Sequence, residues 1–416
     1  MDPVKPALPL EGVRVVDLSW VLAGPVTGRL LADAGADVIK VESRKRLDNT
    51  RRGRSLPPAP GTAEDSDPID RVPMFHNLNA GKKSVAIDLS TPAGIAVVKR
   101  LIGESDILLD NFAPGVMKRL GLGYEALKAA HPRLVMISLS GTGQHGPLSD
   151  VPAYAPTVTS LAGLESVVGY DGEAPTGMLG LNLADAFAGL SAFNAVLIAL
   201  WAQRKTGIGQ FIDFSEMEGI CTMMAMPLID YAVNGSVMQP AGNRCEQGGA
   251  PYGVFPVAGD DAWISIAVES DEEWQSFCAA IPGGPWVGDE RYALREGRIL
   301  HRAELEAAVA DTTRRLDANA LVDTRRRAGV AASPVHDIAG QVADAHFWKR
   351  GLFRHVEVGD VGQLTLYGSP WRLAATPTLG NTGAPRLGEH TREVLTELLG
   401  FDDAEVERLR AQGVLT

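Results

Sequence analysis

The chain has few cysteines and no long apolar leader, and both features limit the classes of protein to which it could belong. Among 416 residues there are only 3 cysteines, Cys221, Cys245 and Cys278, without close spacing. An odd, scattered set excludes a disulfide framework and a thiolate metal site, so we expect buried, inert thiols and no metal. No apolar run approaches the roughly 20 residues that cross a bilayer, and the N-terminus lacks a charged-then-apolar leader. We therefore predict a cytoplasmic protein without membrane contact.

The signature motifs of several enzyme classes are also missing. No G-x-G-x-x-G follows the first predicted strand, which disfavours nicotinamide and flavin enzymes. The phosphate loop G-x-x-x-x-G-K-[ST] and the nucleophile elbow G-x-S-x-G are absent as well, so NTPases and ordinary serine hydrolases lose their main support. The formal net charge of −12 argues against a general nucleic-acid binder, which would show a basic surface.

Length and composition indicate a globular protein of two domains. A chain of 416 residues with 45% hydrophobic content is too long for one ordinary core, since domains usually span about 100–200 residues. Up to residue 140, β-rich runs alternate with helical segments, which predicts a mostly parallel, Rossmann-like doubly wound sheet in an α/β fold. The predicted strands lie at 13–18, 37–42, 84–88, 106–110 and 134–138.

The second half of the chain has a different character. Glycine-rich turns open a loop-rich stretch, and a hairpin is predicted between 252–255 and 263–266. We therefore place a large Rossmann-like domain at 1–225 and a smaller α/β domain at 226–340. Residues 341–416 are predicted to return to the large domain.

A basic cluster follows the second predicted strand. Six cations stand within the eleven residues from Arg44 to Arg54. Such a loop is either a solvated surface or a clamp for a polyanionic cofactor. The segment 47–73, rich in Pro, Asp and Arg, is predicted to be either a lid or a disordered surface loop.

One acidic residue, Asp185, lies at the predicted N-terminus of an otherwise apolar helix that continues to Trp201. As a helix N-cap it would satisfy backbone N–H groups at the positive helix end, which is the commoner role for such an aspartate. As a nucleophile, a carboxylate in a nearly uncharged, Gly- and Ala-lined segment is open to a bulky electrophile. The segment by itself leaves both interpretations open.

A set of short motifs extends along nearly the whole chain. They are PLEGVRVVD at 9–17, AGP at 23–25, GADVIKVE at 35–42, NAGKKS at 79–84, NFAPG at 111–115, RKTGIGQ at 204–210, GNR at 242–244 and LGEHT at 387–391. In combination they are highly specific. They resemble the class III CoA-transferases, the family of the formyl-CoA, carnitine and benzylsuccinate CoA-transferases.

The resemblance implies that Asp185 matches the family's catalytic aspartate, with capping as a compatible second role. The implied chemistry is covalent: the carboxylate attacks an acyl-CoA thioester and forms a mixed anhydride, and the returning thiolate makes an aspartyl-CoA thioester. An acceptor acid then leaves as the new CoA ester. The family further implies an interlocked homodimer of ring-like chains, and CoA thioesters as substrates with no tightly bound cofactor.

The resemblance also implies positions that contact CoA. Where some relatives carry an arginine just after the second strand, this chain has Ser43, and Arg44 or Arg46 is expected to compensate. For the aromatic and basic residues among the matched positions, the alternative role is to pack a helix against the sheet. The matched positions are Val21, Ile87, Asn111, Phe112, Arg119 and Tyr154.

Two departures from the formyl-CoA enzymes bear on the substrate. Leu22 replaces their glutamine and Trp20 stands at their neighbouring histidine position, so we expect an apolar, bulky pocket that suits a larger, aromatic or branched acid. Succinyl-CoA or acetyl-CoA is the expected donor. Gly248 and Gly249 match a mobile glycine loop of relatives, with a plain turn as the alternative.

Two other functions stay open at this point. The related α-methylacyl-CoA racemases pair the aspartate with a histidine about thirty residues upstream, since racemisation needs two acid–base groups, and here that position is Ala153. A catalytically silent subunit of a heteromeric CoA-transferase is the third hypothesis, against which the retained Asp185 argues weakly.

Overall fold

The computed structural model describes residues 8–60, 66–178, 182–244, 248–281, 283–327, 329–359, 361–376 and 382–416. The chain forms two compact units. The first comprises Met1–Leu164, Met178–Asn234 and His346–Thr416, and the second comprises Glu165–Gly177 and Gly235–Ala345. The second unit therefore includes a segment ahead of the small-domain range predicted from the sequence.

A parallel sheet of six strands forms the centre of the first unit. Its strand order, β3-β2-β1-β4-β5-β6, is that of doubly wound nucleotide-binding folds. All neighbouring pairs run parallel, which confirms the sheet predicted from the alternating pattern. The strands are β1 (Arg14–Asp17), β2 (Asp37–Glu42), β3 (Lys83–Ala86), β4 (Ile107–Asp110), β5 (Val135–Ser140) and β6 (Phe211–Ser215).

Helices cover both faces of this sheet. Because successive strand residues point to opposite faces, Val15 packs with the core on one side of the sheet and Val16 with the core on the other. The helices of this part of the unit are α1 (Ala23–Asp33), α2 (Pro73–Asn79), α3 (Pro92–Gly103), α4 (Val116–Arg119), α5 (Tyr124–Leu127), α6 (Ala155–Leu161), α7 (Leu183–Thr206), α8 (Glu216–Met223) and α9 (Ala225–Asn234), of which α9 has no buried residue.

The second unit is built on a small antiparallel sheet. The predicted hairpin is confirmed as β7 (Tyr252–Pro256) and β8 (Trp263–Ala267), and β9 (Ala331–Pro334) pairs with β8. Buried aromatic and aliphatic residues, among them Trp286, form its own core. Its helices are α10 (Asp271–Ala280), α11 (Arg295–Leu300), α12 (Arg302–Thr313), α13 (Ala318–Arg327) and α14 (Ile338–Ala343), followed by α15 (Ala345–Lys349) at the boundary of the unit.

The C-terminal segment belongs to the first unit. It contributes the hairpin of β10 (Phe353–Val358) and β11 (Gly362–Tyr367), the short α16 (Thr391–Glu393) with a π-helical turn at Val394–Leu398, and α17 (Asp403–Ala411). Asp402 caps α17, with reciprocal hydrogen bonds to Glu405 of 2.8 and 2.9 Å. This capping box fixes the residue at which the helix begins.

Three expectations from the sequence are corrected. Cys221 is exposed and Cys278 is half-buried, whereas buried thiols were predicted, and Cys245 lies outside the described residues. Helix α7 is long and apolar enough, by length and composition alone, to cross a membrane, although no such run was expected. Its buried face packs in the core of the first unit, and core helices commonly have this composition.

The segment 47–73 is also not a disordered surface loop where it is described. Arg51 is fully buried and binds both carboxylate oxygens of Glu42 at 2.7 and 2.9 Å. It also donates to Asp70 at 2.7 Å and lies 3.5 Å from the centre of the Phe75 ring. These contacts anchor the segment to the sheet. Residues 61–65 lie outside the described part.

Candidate active site

A cavity of about 810 Å³ opens at the carboxyl ends of the central strands. In doubly wound sheets this edge is where ligands bind, because the loops and helix N-termini that follow the strands converge there. The described lining comes from the segments after β1, β4, β5 and β6 and from the start of α7. It includes Val21, Leu22, Asn111, Phe112, Ala153, Tyr154, Asp185 and Glu216.

Asp185 lies in this cavity, but it does not cap its own helix. The N-cap of α7 is Asn182, and Asp185 is the third residue of the helix. Its half-buried carboxylate accepts a hydrogen bond from the backbone N–H of Ala23, the first residue of α1, whose own N-cap makes no side-chain bond. Asp185 therefore caps the neighbouring helix, and the N-termini of two helices support one carboxylate.

Small residues on α7 make this arrangement possible. Gly189 lies against α1, where a Cβ atom at its position would come within 2.6 Å of the Val26 side chain. The Thr27 hydroxyl donates to the carbonyl of Gly189 at 3.2 Å. Because the two helices approach this closely, the first turn of α7 reaches the free N–H groups of α1.

Burial raises the pKa of the Asp185 carboxyl, and the N–H groups of Ala23 and of Asp185 itself partly offset this rise. A poorly hydrated carboxylate is a more basic nucleophile than one in water. The environment of Asp185 therefore combines reduced hydration with two positive helix ends.

Glu216, which we did not predict from the sequence, is a further acidic group of the site, and Asp150 also lines the cavity. It is the first residue of α8, directly after β6, and it is only 8% exposed although it lines the cavity. Burial and the charge of Asp185 raise the pKa of the Glu216 carboxyl to about 8. Burial and the neighbouring carboxyl thus favour the protonated form of Glu216.

The turn after β1 adopts an unusual backbone conformation at the cavity wall. Val21 has a φ of 66°, a left-handed conformation that is rare for a β-branched residue. Asn111 holds the preceding residue, accepting from the N–H of Trp20 at 2.8 Å and donating to its carbonyl at 2.7 Å. Asp48 accepts the N–H of Val21 at 3.1 Å. The Asn111 amide thus positions the turn.

A buried ion pair also stabilises this turn. Lys40 lies 3.2 Å from Asp48 and donates to the Ser19 carbonyl at 2.5 Å. Burial lowers the pKa of Lys40, but the nearby carboxylates of Asp48, Asp17 and Glu42 outweigh this and raise it. The ion pairs therefore hold Lys40 in its charged form beneath the turn.

A second cavity of about 490 Å³ adjoins the first, since Phe112 and Ala113 line both. Trp20, Ile87, Lys45 and Arg46 are also part of its wall. The Arg46 guanidinium lies 4.8 Å from the centre of the Trp20 ring, and Lys45 pairs with Asp88 at 2.8 Å. Glu42 and Asp88 also line this cavity, so its cations and carboxylates are equal in number. Its cations and its aromatic rings suit the phosphates and the adenine of a nucleotide.

Comparison with known proteins identifies the family. The model of CoA-transferase family III matches residues 10–391. The chain is 33% identical to the succinyl-CoA–D-citramalate CoA-transferase of Chloroflexus aurantiacus, over 100% of both chains. It is 33% identical to the succinate–glutarate CoA-transferase of Agrobacterium fabrum, over 94% of this chain and 96% of the relative. The chain belongs to CoA-transferase family III.

A solved structure agrees with this assignment. The crystal structure of a CaiB/BaiF family protein from Brucella suis superposes with a TM-score of 0.83 and 31% identity, covering 94% of this chain and 99% of that chain. The family predicted from the motifs is confirmed, and the protein is accordingly an enzyme that transfers CoA and uses CoA thioesters. Among the described residues, no group of three or more His, Cys, Asp or Glu side chains could hold a metal ion.

The structure gathers most, but not all, of the predicted site residues of this CoA-transferase. Arg119 is exposed at the end of α4 and is not among the residues that line either cavity. Arg44 points elsewhere, to Asp67 at 2.5 Å. Tyr154 lines the first cavity but is 74% exposed. Of the basic loop, Lys45 and Arg46 therefore remain as candidates for contact with phosphate.

Gly248 and Gly249 lie in the second unit and form a turn that is held by hydrogen bonds. Arg302 donates to the carbonyls of Gly248 and Gly249 at 3.1 and 3.0 Å. The N–H of Gly249 donates to Glu269 at 3.0 Å. This N–H is therefore already engaged, and the assignment of the two glycines to the substrate pocket stays a prediction.

Proposed function

We propose that this enzyme moves CoA from succinyl-CoA to a larger organic carboxylic acid, with Asp185 as the covalent nucleophile. The observation that carries the proposal is the half-buried Asp185 carboxylate, which lies in the 810 Å³ cavity at the N-termini of two helices. Succinyl-CoA is chosen over acetyl-CoA because relatives named for their donor use succinyl-CoA.

The reaction divides into two exchanges. The Asp185 carboxylate attacks the thioester carbonyl, the C–S bond breaks, and a succinyl–aspartyl anhydride forms. The CoA sulfur then attacks the aspartyl carbonyl, which releases succinate and leaves an aspartyl-CoA thioester. The acceptor carboxylate reverses these steps and departs as its CoA ester. The N–H groups at the start of α1 and α7 stabilise the carboxylate each time it is released.

The two adjoining cavities suggest how CoA binds. We place its nucleotide portion in the 490 Å³ cavity, with phosphates near Lys45 and Arg46 and the adenine near Trp20. The pantetheine arm would pass Phe112, which lines both cavities, and bring the sulfur to Asp185. This placement puts the phosphates near two cations and the thioester in the cavity that contains Asp185 and no described cation.

The cavity wall favours an acceptor acid with an apolar body. Leu22, Leu139, Val151 and neighbouring alanines and prolines line the site around Asp185, and its described lining contains no Lys, Arg or His. Named relatives act on citramalate, glutarate and malate. We therefore expect a branched or aromatic acid of at least this size. Leu22 lines this cavity as predicted, whereas Trp20, which was predicted to lie beside it, lines the second cavity instead.

The proposal is tested by trapping the intermediate. The protein is incubated with succinyl-CoA and then with hydroxylamine, and its peptides are analysed by mass spectrometry. We expect a hydroxamate on the peptide that contains Asp185, absent without the CoA ester and absent in Asp185→Asn. No adduct in the wild type, with the protein folded, would refute covalent transfer through this residue.

One observation favours a second candidate. Glu216 adds another acid–base group to the cavity, whereas Ala153 occupies the position at which racemases carry a histidine. An α-methylacyl-CoA racemase would introduce solvent deuterium at the α-carbon of a 2-methylacyl-CoA without an acceptor acid. Transfer activity of the purified chain alone would likewise exclude a catalytically silent subunit.

We further propose that the enzyme acts as a homodimer in the cytoplasm. Helix α9 has no buried residue, and its Leu228, Ile229, Tyr231 and Val233 are each at least 59% exposed. A second copy of the chain would cover this apolar face, as expected for the interlocked dimer of the family. Gel filtration that yields a stable folded monomer would contradict this proposal. The free thiols Cys221 and Cys278 suit a reducing compartment.

A further inference from the structure

Glu216 is an unexplained buried carboxyl in the active-site cavity. Residues at the ends of parallel strands meet at one edge of the sheet, and α8 begins directly after β6 at this edge. Glu216 is therefore brought to the cavity that holds Asp185. It is 8% exposed, so most of its surface is withdrawn from water while it still faces the cavity.

No described group compensates a charge on Glu216. Only burial and the repulsion of Asp185 perturb the carboxyl, with no hydrogen bond or ion pair among the described residues. The cavity lining described above contains no cation. The titratable groups around the cavity, on α8 itself and on the elements packed against it are Asp150, Tyr154, Asp185, Asp213, Glu218 and Cys221, together with Arg204 and Lys205 in the last turn of α7.

A second carboxylate in the cavity that holds Asp185, with no cation in the described lining, is strongly disfavoured. The stable resting state of the pair has one charge and one proton. Asp185 accepts the N–H of Ala23 whereas Glu216 accepts no described hydrogen bond, so the charge is favoured on Asp185 and the proton on Glu216. A site with one ionised and one protonated carboxyl can act as nucleophile and acid at once.

We propose that Glu216 is the general acid and base for the CoA sulfur in this reaction. Glu216 gives its proton to the sulfur as the thioester breaks and takes it back when the thiol attacks again. The assignment rests on the proposed transfer through Asp185, and it adds a catalytic residue that the nucleophilic scheme does not contain.

The step balances in atoms and charge. In the first half, the Asp185 carboxylate bonds to the acyl carbon, the C–S electron pair goes to sulfur, and the Glu216 proton follows it. The products are a neutral anhydride, a neutral thiol and the Glu216 carboxylate. In the second half, Glu216 removes the thiol proton as sulfur attacks the aspartyl carbonyl, and the succinate carboxylate leaves. The single negative charge is conserved throughout.

The acidity of Glu216 suits this exchange. Its pKa of about 8 is close to the ordinary pKa of a cysteine thiol, about 8.5. A proton passes in both directions with little loss of free energy when donor and acceptor have similar acidity, and general acid–base catalysis is most efficient near this match. An ordinary glutamate would be ionised at pH 7 and could not donate.

The test compares Glu216→Gln with Glu218→Gln and the wild type. Glu218 is an exposed carboxyl in the first turn of the same helix and serves as the matched control. A single turnover with succinyl-CoA is quenched at successive times, and CoA release and the Asp185 adduct are measured by mass spectrometry. We expect Glu216→Gln to slow CoA release about 100-fold without changing the affinity for CoA, and Glu218→Gln to match the wild type.

Three further measurements distinguish proton donation from a structural role. The single-turnover rate of the wild type should fall as the pH rises above about 8, while the rate of Glu216→Gln stays level across that range. With an S-aryl succinyl thioester, whose thiolate is a weak base and leaves without a proton, Glu216→Gln should react within about threefold of the wild type. Glu216→Asp should restore part of the lost rate with succinyl-CoA.

The possible results separate the two proposals. If the wild type forms no Asp185 adduct, the proposed function fails, and the role of Glu216 fails with it. If the wild type forms the adduct and Glu216→Gln releases CoA at an equal rate with an equal pH profile, only the role of Glu216 is refuted. Equal slowing with the alkyl and the aryl thioester would also refute proton donation, since leaving-group basicity would then have no influence.

Discussion

Replacing Asp48 by asparagine is expected to release the turn after β1 and to destabilise the first unit. Asp48 accepts the N–H of Val21 at 3.1 Å and pairs with Lys40 at 3.2 Å. The side chains of Lys40 and Asp48 are 0% and 1% exposed. Asparagine has nearly the same shape and keeps one acceptor oxygen, but it removes the charge that compensates Lys40.

The magnitude follows from the burial of the pair. Removing one partner of a buried ion pair costs about 3–5 kcal/mol, because the remaining charge is left unpaired. Lys40 keeps its hydrogen bond to the Ser19 carbonyl and the attraction of Asp17. We therefore expect a loss at the lower end, about 3 kcal/mol in the free energy of unfolding.

The same change should weaken CoA binding. The conformation of Val21, with a φ of 66°, costs about 1–3 kcal/mol and persists only while its surroundings enforce it. When its N–H loses a charged acceptor, the turn can relax and move the cavity wall. We expect the affinity for CoA to fall about tenfold, which corresponds to about 1.4 kcal/mol.

Urea denaturation and calorimetric titration with CoA measure the two effects. Glu125→Gln is the matched control, since it removes one partner of an exposed pair with Lys128, whose side chains are 80% and 48% exposed. Such a pair contributes about 0–1 kcal/mol. If Asp48→Asn were as stable as this control and bound CoA like the wild type, the reasoning that the buried pair holds the turn would be refuted.

Three further predictions concern stability and binding. The pKa of Glu216 is raised from 4.5 to about 8, so the stability that its neutral form contributes is complete below pH 4.5 and is lost as the pH rises through 8. In urea denaturation, Glu216→Gln should therefore match the stability of the wild type near pH 4. Above pH 8 it should be more stable by about 2 kcal/mol or more, since one pKa unit corresponds to 1.36 kcal/mol. Equal stability of the two proteins at both pH values would contradict this. In Gly249→Ala the Cβ atom would lie 1.8 Å from a backbone carbonyl oxygen, whereas in Gly253→Ala it has only ordinary contacts of 3.8–3.9 Å. We expect the first variant to lower the melting temperature by several degrees more than the second, as for other overpacked sites; equal melting temperatures would show that the turn adjusts freely. Arg46→Gln should weaken CoA binding about five- to tenfold and make it less sensitive to salt, as expected for loss of a phosphate contact. Arg54→Gln, an exposed change in the same basic loop, should have neither effect. If titrations at low and high salt give equal affinities for the two variants, Arg46 does not belong to the CoA site.

Much of the fold and part of the site could be predicted from the sequence. The alternation of β-rich and helical segments predicted the parallel sheet, because side-chain periodicity is a local property of the chain. The motifs identified the family, and they singled out Asp185 together with the turns that contain Val21 and Phe112. These predictions depend on short stretches of neighbouring residues, and the structure brings those stretches to one edge of the sheet.

The tertiary structure alone decided how the charges of the site are paired. Glu216 looked like an ordinary helix-start residue, and it becomes a partner of Asp185 only because β6 ends at the same edge of the sheet as β1 and β4. Asp185 caps α1 rather than its own helix, and Asp48 is buried in a segment with the composition of a surface loop. Periodicity and composition describe each segment separately. Burial and long-range contacts depend on strand order and helix packing, and these determine which charges are removed from water together.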